Sequence, residues 1–387
     1  MHYNFQTRVS SARPSVIREF AGNVSKFDDA VDLTLGEPDF NTPERIRQAG
    51  IRAIEENRTK YTPDDGIREL RAAACAYFKR EYELEYDPDW EMMVTCGATE
   101  ALDAAFRSVL GPGDEILVPQ PVYLGYEPLI RFCGAVPVYM DTSENHFVLT
   151  PEMLEKACTG YTRALLLNYP CNPTGCVPTE GEMQAIADWL ERHPDIMIIS
   201  DEVYAGLTYH RRHISIASLN DLWNRTIVIN GLSKAYAMTG WRIGFLAAPR
   251  RISDELYKVH QNTVTCAAAM SQYAALEALK SSQETVEMRH AYEKRAEYLC
   301  EALKEMDIPV NMPGGAFYLL PDISQFGLSS LGFATMLLQK YHVGTVPGSA
   351  FGKAGEGHIR ISYAASMEQL KEFVRRMHLC VGAMAGD

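Results

Sequence analysis

Four mainly apolar runs recur through the middle of the chain, each ending at a polar or turn-forming residue. The runs are residues 115–118, 163–167, 196–199 and 226–229. Amphipathic segments, such as residues 179–191, separate them. Strands that are apolar throughout and alternate with helices are typical of a parallel sheet covered by helices on both faces. The sequence therefore predicts an α/β fold, a three-layer α/β/α arrangement around a mostly parallel sheet.

The pattern changes toward the carboxyl terminus. A long helical segment there carries one apolar stripe, with residues spaced four and three apart. The stripe consists of Tyr292, Ala296, Leu299, Leu303 and Met306. Strand-like runs follow at residues 317–320 and 358–362, which is an α+β pattern. We therefore expect a large domain over residues 41–283 and a smaller α+β domain built from residues 1–40 and 284–387.

Composition limits the classes of partner. The chain has 387 residues and a formal net charge of -13, which argues against binding to nucleic acid or to an anionic membrane. No apolar run approaches the ~18 residues that span a bilayer, and the amino terminus lacks the pattern of a signal peptide. The nine cysteines form no C-x-x-C pair and no zinc-type cluster. We therefore expect no metal site and a cytoplasmic location.

The segment NGLSKAYAMTGWRIG, residues 230–244, follows the last of the four runs. It places Lys234 just beyond the carboxyl end of a predicted strand, where open α/β sheets bind ligands, and Arg242 eight residues later. A lysine amine held out of bulk water can lose its proton, attack an aldehyde and form a Schiff base. Arg242 can hold a phosphate. Pyridoxal phosphate is a small molecule that carries both an aldehyde and a phosphate. The alternative is that Lys234 is an ordinary surface lysine.

Three further polar residues follow predicted strand ends. Asp201, opposite a pyridine nitrogen, would keep that nitrogen protonated and the ring an electron sink. Tyr204 and Asn172 can both reach the phenolic oxygen of the same ring. Taken singly, Asp201 could instead cap a helix, Tyr204 could be a packing residue, and Asn172 could belong to a plain turn.

Other candidates would hold the phosphate, the ring and a substrate. Ala98 and Thr99 open a predicted helix whose first backbone N–H groups can bind a phosphate. Tyr123 follows another strand end and can stack on a flat heterocycle, although an isolated tyrosine there is more often core. Arg360 can bind a substrate carboxylate in bidentate fashion. The alternative for Arg360 is a solvated arginine on a half-exposed strand.

Together these residues resemble the class I/II aminotransferases of the fold type I pyridoxal-phosphate family. The most specific motifs are residues 231–244, Asn-Pro-Thr-Gly at 172–175 and Asp-Glu-Val-Tyr at 201–204. The segments 35–40 and 61–63 are also similar. The resemblance extends over residues 33–363, nearly the whole chain.

The resemblance implies a role for each candidate. The residues implied to be catalytic are Lys234, Asp201 and Tyr204. The residues implied to bind the cofactor are Ala98, Thr99, Tyr123, Asn172, Asp201, Tyr204, Ser233, Lys234, Arg242 and Tyr61 of the partner subunit. The residues implied to bind substrate are Gly36, Tyr123, Asn172 and Arg360. Family members are homodimers with shared active sites. Many have a serine where this chain has Gly231, so either a weaker phosphate anchor or partial substitution by Ser233 is expected.

Within the family, the sequence is most similar to bacterial aromatic and N-acetyl-diaminopimelate aminotransferases, through residues 125–128, 133–135 and 258–261. The implied reaction moves an amino group from an amino acid to a 2-oxo acid, with 2-oxoglutarate the expected acceptor, by ping-pong kinetics. One alternative is a carbon–sulfur β-lyase on the same fold. Another is a cofactor-sensing regulator, which would need a DNA-binding domain before residue 33. No motif identifies the amino donor.

Overall fold

The computed structural model of the protein describes residues 5–10, 12 and 16–385. The helices in this part of the chain are α1 Thr7–Ser10, α2 Val16–Val24, α3 Glu44–Glu55, α4 Arg68–Tyr82, α5 Ala98–Val109, α6 Tyr126–Phe132, α7 Pro151–Ala157, α8 Glu180–Glu191, α9 Arg250–Thr263, α10 Ala269–Ala278, α11 Gln283–Glu305, α12 Ser330–Tyr341 and α13 Met367–Ala385. The strands are β1 Val31–Asp32, β2 Met92–Thr95, β3 Glu115–Gln120, β4 Val136–Asp141, β5 Thr162–Asn168, β6 Met197–Asp201, β7 Thr226–Gly231, β8 Gly244–Ala247, β9 Tyr318–Leu319, β10 Val343–Gly344, β11 Val346–Pro347 and β12 Ile359–Ser362.

The central sheet has seven strands in the order β2-β8-β7-β6-β5-β3-β4. Strands β3 to β7 pair in parallel, whereas β8 runs antiparallel to both of its neighbours, β2 and β7. The predicted, mostly parallel α/β sheet is therefore confirmed. The four predicted strands are β3, β5, β6 and β7, which lie side by side.

Burial on both faces of the sheet explains why these strands are apolar throughout. In β5, Leu165 packs into the same cluster as Ile186 of α8. The next residue, Leu166, packs on the opposite face with Phe106 of α5. Because successive strand residues point to opposite faces, helices on both sides require an apolar residue at every position.

Helices α8 and α5 begin differently, the first with a side-chain cap and the second without one. The helix predicted over residues 179–191 begins one residue later, because Thr179 is its N-cap. The Thr179 hydroxyl accepts from the Glu182 backbone N–H, and the Glu182 carboxylate accepts from the Thr179 N–H, a capping box. Helix α5 begins after Gly97 with no side-chain cap, so its first N–H groups remain available to a ligand.

The predicted long carboxyl-terminal helix is α11, and its apolar stripe is buried in the main core cluster. Met306 of that stripe is the C-cap of α11 and lies just beyond the helix. No helix among the described residues, α11 included, is long and apolar enough to cross a membrane.

Two small sheets accompany this region. Strand β12 pairs antiparallel with both β11 and β9, and β1 pairs in parallel with β10 through Val31 and Val343. The β1–β10 pair joins the early part of the chain to its carboxyl-terminal part. The predicted division into domains 41–283 and 1–40 with 284–387 stays a prediction.

Candidate active site

A cavity of about 380 Å³ opens where the central strands end. Asn168, the last residue of β5, and Asp201, the last of β6, are partners in the sheet, and both line the cavity. Lys234 follows β7 by three residues and lines it too. All the predicted site residues except Tyr61 meet here: Gly36, Ala98, Thr99, Tyr123, Asn172, Asp201, Tyr204, Ser233, Lys234, Arg242 and Arg360.

The Lys234 amine is only partly exposed. Its Nζ donates a hydrogen bond to the Gly36 carbonyl oxygen at 2.6 Å. Burial lowers the pKa of Lys234 to about 8; the Glu37 carboxylate opposes this shift, and the charges of Arg242 and Arg360 add to it. A lysine with this pKa is partly neutral in mildly alkaline solution and can act as a nucleophile or a base.

Asp201 is a buried carboxylate held by two donors. Its Oδ2 accepts from the Tyr126 hydroxyl at 2.6 Å, and its Oδ1 accepts from the Val203 backbone N–H at 3.2 Å. Burial raises the pKa of Asp201 to about 6, although both hydrogen bonds work against the rise. Asp201 therefore titrates close to neutrality and is mainly ionised above pH 7.

Arg360 is buried deep in the cavity wall, with only 1% of its surface exposed. All four residues of β12 are buried, so the alternative of a solvated arginine on a half-exposed strand is wrong. Its Nη1 donates to Asn172 Oδ1 at 3.2 Å and its Nη2 donates to the Thr34 carbonyl oxygen. Among the described residues Nε has no hydrogen-bond partner, and the guanidinium contacts Asn172, the Thr34 carbonyl and the rings of Tyr318 and Phe351, none of which is a carboxylate. This site can therefore accept an anion.

Tyr204 and Tyr318 form the wall next to Arg360. Their hydroxyl groups are 2.7 Å apart, and the Arg360 guanidinium lies 4.7 Å from the centre of the Tyr318 ring. Gly36 lies against the same ring, because a Cβ there would come within 2.5 Å of the Tyr318 hydroxyl. The Gly36 carbonyl accepts from Lys234, whereas the Gly36 backbone N–H is the group that can donate to an anionic substrate.

In another part of the cavity wall, Arg242 lies beside the start of α5. Gly97, the residue before the helix, has a φ of +77°, and a Cβ there would lie 2.3 Å from Arg242 Nη2. Only glycine allows this approach. The guanidinium, which also donates to the Thr239 carbonyl at 2.9 Å, thus lies beside free helix N–H groups and Thr99. That combination binds phosphates.

Gly231 lies where two strands approach each other closely. It pairs with Gly244 across β7 and β8, and a Cβ at Gly231 would lie 3.2 Å from the Ile243 carbonyl oxygen and 3.3 Å from the Gly244 Cα. A serine there would require a small shift of the strands. Ser233 lines the cavity, and its expected contribution to phosphate binding stays a prediction.

Tyr61 lies outside the cavity of its own chain. Its side chain is 88% exposed on the segment between α3 and α4. This position leaves it open to a partner, and its predicted role in the partner's site stays a prediction.

The sequence analysis missed several cavity residues. Tyr126 and Tyr318 hold other site residues, and Glu37 adds a carboxylate. Tyr126 lies in residues 125–128 and Glu37 in residues 35–40, two segments that the sequence analysis noted for their similarity to the family without giving either side chain a role. Arg18, in α2, also lines the cavity, and no motif marks it.

Comparison with known proteins identifies the family. The family model described as "Aminotransferase class I and II" matches residues 28–377. The chain belongs to the class I and II aminotransferases. The resemblance predicted from the motifs is thus confirmed, and the protein is an aminotransferase enzyme of fold type I.

Individual relatives agree over nearly the whole aminotransferase chain. A probable N-acetyl-LL-diaminopimelate aminotransferase of Bacillus subtilis is 46% identical, covering 95% of this chain and 93% of that protein. An aspartate aminotransferase of Pyrococcus abyssi is 41% identical and covers 96% of each. The crystal structure of an aromatic aminotransferase from Pyrococcus horikoshii has a TM-score of 0.89 at 41% identity, covering 94% of this chain and 99% of that one.

Class I and II aminotransferases use pyridoxal phosphate, and the cavity of this aminotransferase fits that cofactor. The start of α5, the side chain of Thr99 and Arg242 would hold the phosphate. The charges of Arg242 and Arg360 both lower the pKa of Lys234, so both arginines are within electrostatic range of its amine. The close approach of Arg242 to Gly97 is the observation that supports the fit most directly.

Proposed function

We propose that this enzyme moves the amino group of an amino acid to a 2-oxo acid, with 2-oxoglutarate as acceptor, by ping-pong kinetics in the cytoplasm. One observation carries the proposal. The Lys234 amine, with a pKa lowered to about 8 by burial, shares one cavity with a helix-start phosphate site and with Arg360, whose hydrogen-bond partners among the described residues are Asn172 and the Thr34 carbonyl and not a carboxylate.

Lys234 is the residue that attaches the cofactor and then serves as the base. Pyridoxal phosphate, when bound, supplies an aldehyde that takes up the amino group and a ring that withdraws electrons from Cα. Lys234, once freed by the incoming amino acid, removes the proton from the substrate Cα. Its lowered pKa suits this role because a neutral amine is available at mildly alkaline pH.

Arg360 binds the substrate α-carboxylate. The guanidinium is buried and oriented by Asn172 and the Thr34 carbonyl, so a carboxylate would meet a pre-organised donor. Burial lowers the pKa of Arg360, because the cavity does little to stabilise the buried positive charge. A bound carboxylate would stabilise that charge. The Gly36 N–H is the second donor for the same group.

Asp201 sets the protonation of the cofactor ring nitrogen. An ionised carboxylate beside that nitrogen favours its charged form, which strengthens electron withdrawal from Cα. Tyr204 and Asn172 would bind the phenolic oxygen, and Tyr123 would stack on the ring. The Tyr204 hydroxyl is already positioned by Tyr318.

We further propose a homodimer in which Tyr61 of the partner subunit completes the phosphate site. Two features support it. Tyr61 is 88% exposed, and Ile51 and Ile54 of the neighbouring helix α3 are also exposed, 45% and 56%. Ile51 and Ile54 are three residues apart on α3 and so share one face of the helix, and an exposed apolar face favours association with a second chain. Aminotransferases of this family are typically dimeric.

The test combines labelling of the cofactor-bearing lysine with a transamination assay of variants. Reduction with borohydride should fix the cofactor to Lys234, as found by peptide mapping, and Lys234→Ala should lose transamination while keeping its fold. Lys258→Ala, an exposed lysine paired with Glu255 on α9, is the control and should behave as wild type. A label on another lysine would refute the assignment.

The β-lyase alternative predicts a different result from the same enzyme. A lyase would break the Cβ–S bond of a β-substituted amino acid and release a thiol, ammonia and a 2-oxo acid without an acceptor. The proposed transaminase should instead turn over only when 2-oxoglutarate is added, with parallel lines in double-reciprocal plots. The relatives are named for aspartate, aromatic and N-acetyl-LL-diaminopimelate substrates. Because these names differ, they do not identify the amino donor of this enzyme.

A further inference from the structure

The two groups proposed to bind the substrate α-carboxylate come from distant parts of the chain. Gly36 lies in the segment 33–43, which joins β1 to α3 and contains no helix or strand. Arg360 lies in β12. Both groups can bind one carboxylate only if the two segments keep a fixed relative position. The contacts between the segments therefore control how well the site fits a carboxylate.

Backbone contacts hold the first residues of the segment 33–43 against β12. The Leu33 carbonyl accepts from the Ser362 backbone N–H at 2.9 Å, and the Thr34 carbonyl accepts from Arg360 Nη2. Both contacts precede Gly36 in the chain. They leave the position of the chain after Gly36 to other residues.

Arg295 of α11 contacts both segments at once. Its Nη1 and Nη2 donate to the two carboxylate oxygens of Asp39 at 2.8 Å and 2.9 Å, a bidentate ion pair. The same Nη1 donates to the Tyr363 carbonyl oxygen at 3.4 Å. Asp39 is three residues after Gly36, and Tyr363 is three residues after Arg360. One guanidinium thus joins the two segments just beyond the two carboxylate-binding groups.

The surroundings of Arg295 keep its guanidinium in a defined position. Only 8% of the residue is exposed, and its Cζ lies 5.2 Å and 5.3 Å from the ring centres of Phe40 and Tyr292. A largely buried, bidentate pair is less screened than a surface ion pair and restrains its partner more strongly. Arg295 is not among the residues that line the cavity, so it acts through other groups.

We propose that Arg295 is a positioning residue for the substrate α-carboxylate, holding the segment of Gly36 against that of Arg360 through Asp39 and Tyr363. This inference rests on the proposed function, because it concerns the same carboxylate. Asp201 and Lys234 belong to the central sheet and the connection after it. Loss of Arg295 should therefore weaken substrate binding more than it slows the chemical steps.

The experiment compares Arg295→Gln with wild type in steady-state transamination. We expect KM for each amino acid and each 2-oxo acid to rise by roughly tenfold, with kcat changed by less than about threefold. Arg295→Lys keeps the charge but lacks the planar fork, so it should recover part of the loss.

Ligand binding gives a readout that does not depend on turnover. Butyrate carries a carboxylate, and butylamine carries none on a chain of the same length. Calorimetry on the enzyme with its cofactor should show a dissociation constant for butyrate that rises in Arg295→Gln by the same factor as KM. The constant for butylamine should not change.

Arg376→Gln is the matched control. Arg376 of α13 has 12% of its side chain exposed, against 10% for Arg295. It donates to Glu372 Oε1 at 2.7 Å and to the Tyr341 carbonyl at 3.1 Å, and these partners lie outside both segments. Urea denaturation should show a loss of stability in this variant as in Arg295→Gln, but its KM values should stay those of wild type.

Asp39→Asn decides the case if Arg295→Gln does not fold. It removes the charge with little change of shape and should also raise KM, and in the double variant the two effects should not add. Unchanged KM in Asp39→Asn, or an equal rise in Arg376→Gln, would overturn the positioning role. A wild-type enzyme that transfers no amino group to any 2-oxo acid would instead refute the proposed transamination itself, and this inference with it.

Discussion

The Tyr126 hydroxyl donates a hydrogen bond of 2.6 Å to the buried carboxylate of Asp201. Tyr126 is the first residue of α6 and Asp201 the last of β6, 75 positions later in the sequence. The bond favours the ionised carboxylate, against burial that raises the pKa of Asp201 to about 6. Tyr126 is therefore a positioning residue that keeps Asp201 charged where the cofactor ring is expected.

Tyr126→Phe should shift the acidic limb of the kcat/KM profile to higher pH. The variant removes a bond that lowers the pKa of Asp201, so the carboxylate becomes protonated at a higher pH than in wild type. Asp201→Asn, which cannot ionise, should lose about two orders of magnitude in kcat above the pKa of Asp201, or roughly 3 kcal/mol of barrier lowering, and the loss should shrink at lower pH, where the wild-type carboxylate is itself protonated. The measurement is the pH profile of the half-reaction.

The control for this pair is Tyr161→Phe, because Tyr161 is 73% exposed and lies outside the cavity lining. It should leave the profile unchanged. A Tyr126→Phe enzyme that is slower by one constant factor at all pH values would contradict the proposed role. That result would assign Tyr126 to packing alone.

Arg360→Ala should weaken every amino acid and every 2-oxo acid by a similar factor, because all share the α-carboxylate. Losing one partner of a buried charged pair typically costs about 2–5 kcal/mol, so apparent affinity should fall at least tenfold. Arg360→Lys should recover only part, since the ammonium lacks the planar fork. Amines without a carboxylate should bind as before. If only acidic substrates suffered, Arg360 would bind the distal carboxylate, and the α-carboxylate would need another partner.

His260 lies behind the phosphate end of the site. Its Nδ1 is 3.0 Å from Glu100 Oε1, and its Nε2 is 2.7 Å from the Asp64 carbonyl oxygen. Both partners accept, so a doubly protonated ring satisfies both. Burial alone would lower the pKa of His260, but the hydrogen bond and charge of Glu100, with those of Asp64, raise it above the ordinary value. Glu100 in turn accepts from the Cys96 N–H at 3.0 Å, which supports the start of α5.

His260→Gln should destabilise the enzyme more at low pH than at high pH. A raised folded-state pKa gives stability that is fully present below the unfolded pKa of about 6.5 and is lost as pH rises through the folded value. Glutamine cannot carry the charge, so the loss below pH 6 should be about 3 kcal/mol, as for breaking a buried pair. Urea denaturation at pH 5.5 and pH 8.5 measures the difference. His378→Gln, an exposed residue of α13, is the control, and an equal loss at both pH values would contradict a protonated His260.

Much of the fold follows from local patterns. The apolar runs identified β3, β5, β6 and β7, and the four-and-three spacing identified α11. These signals are local because a strand or helix buried on a given face needs apolar residues at its own period. The segment containing Lys234 and Arg242 could be assigned for the same reason: its residues are neighbours in sequence and follow one strand.

The supporting contacts could not be predicted in this way. Glu202, next to Asp201, is fully buried. Its carboxylate accepts hydrogen bonds from the hydroxyl groups of Ser200 and Ser215. Its Oε2 lies 3.0 Å from His213 Nε2. Its segment was noted only for the neighbouring Asp201 and Tyr204. Its partners come from positions up to 13 residues away, and no period or motif relates them. A buried carboxylate needs such donors, but only the folded chain shows which residues supply them.

The sequence by itself determined the α/β class of the sheet and the family, and it singled out the candidate site residues, because strand periodicity and one dense motif encode them locally. Only the tertiary structure decided that Arg360 is buried rather than solvated, that Tyr126 holds Asp201, and that Arg18 faces the cavity without a partner among the described residues. These facts depend on distances between side chains far apart in the chain. Such distances arise when burial of apolar surface brings the helices and strands together, and no local pattern records them.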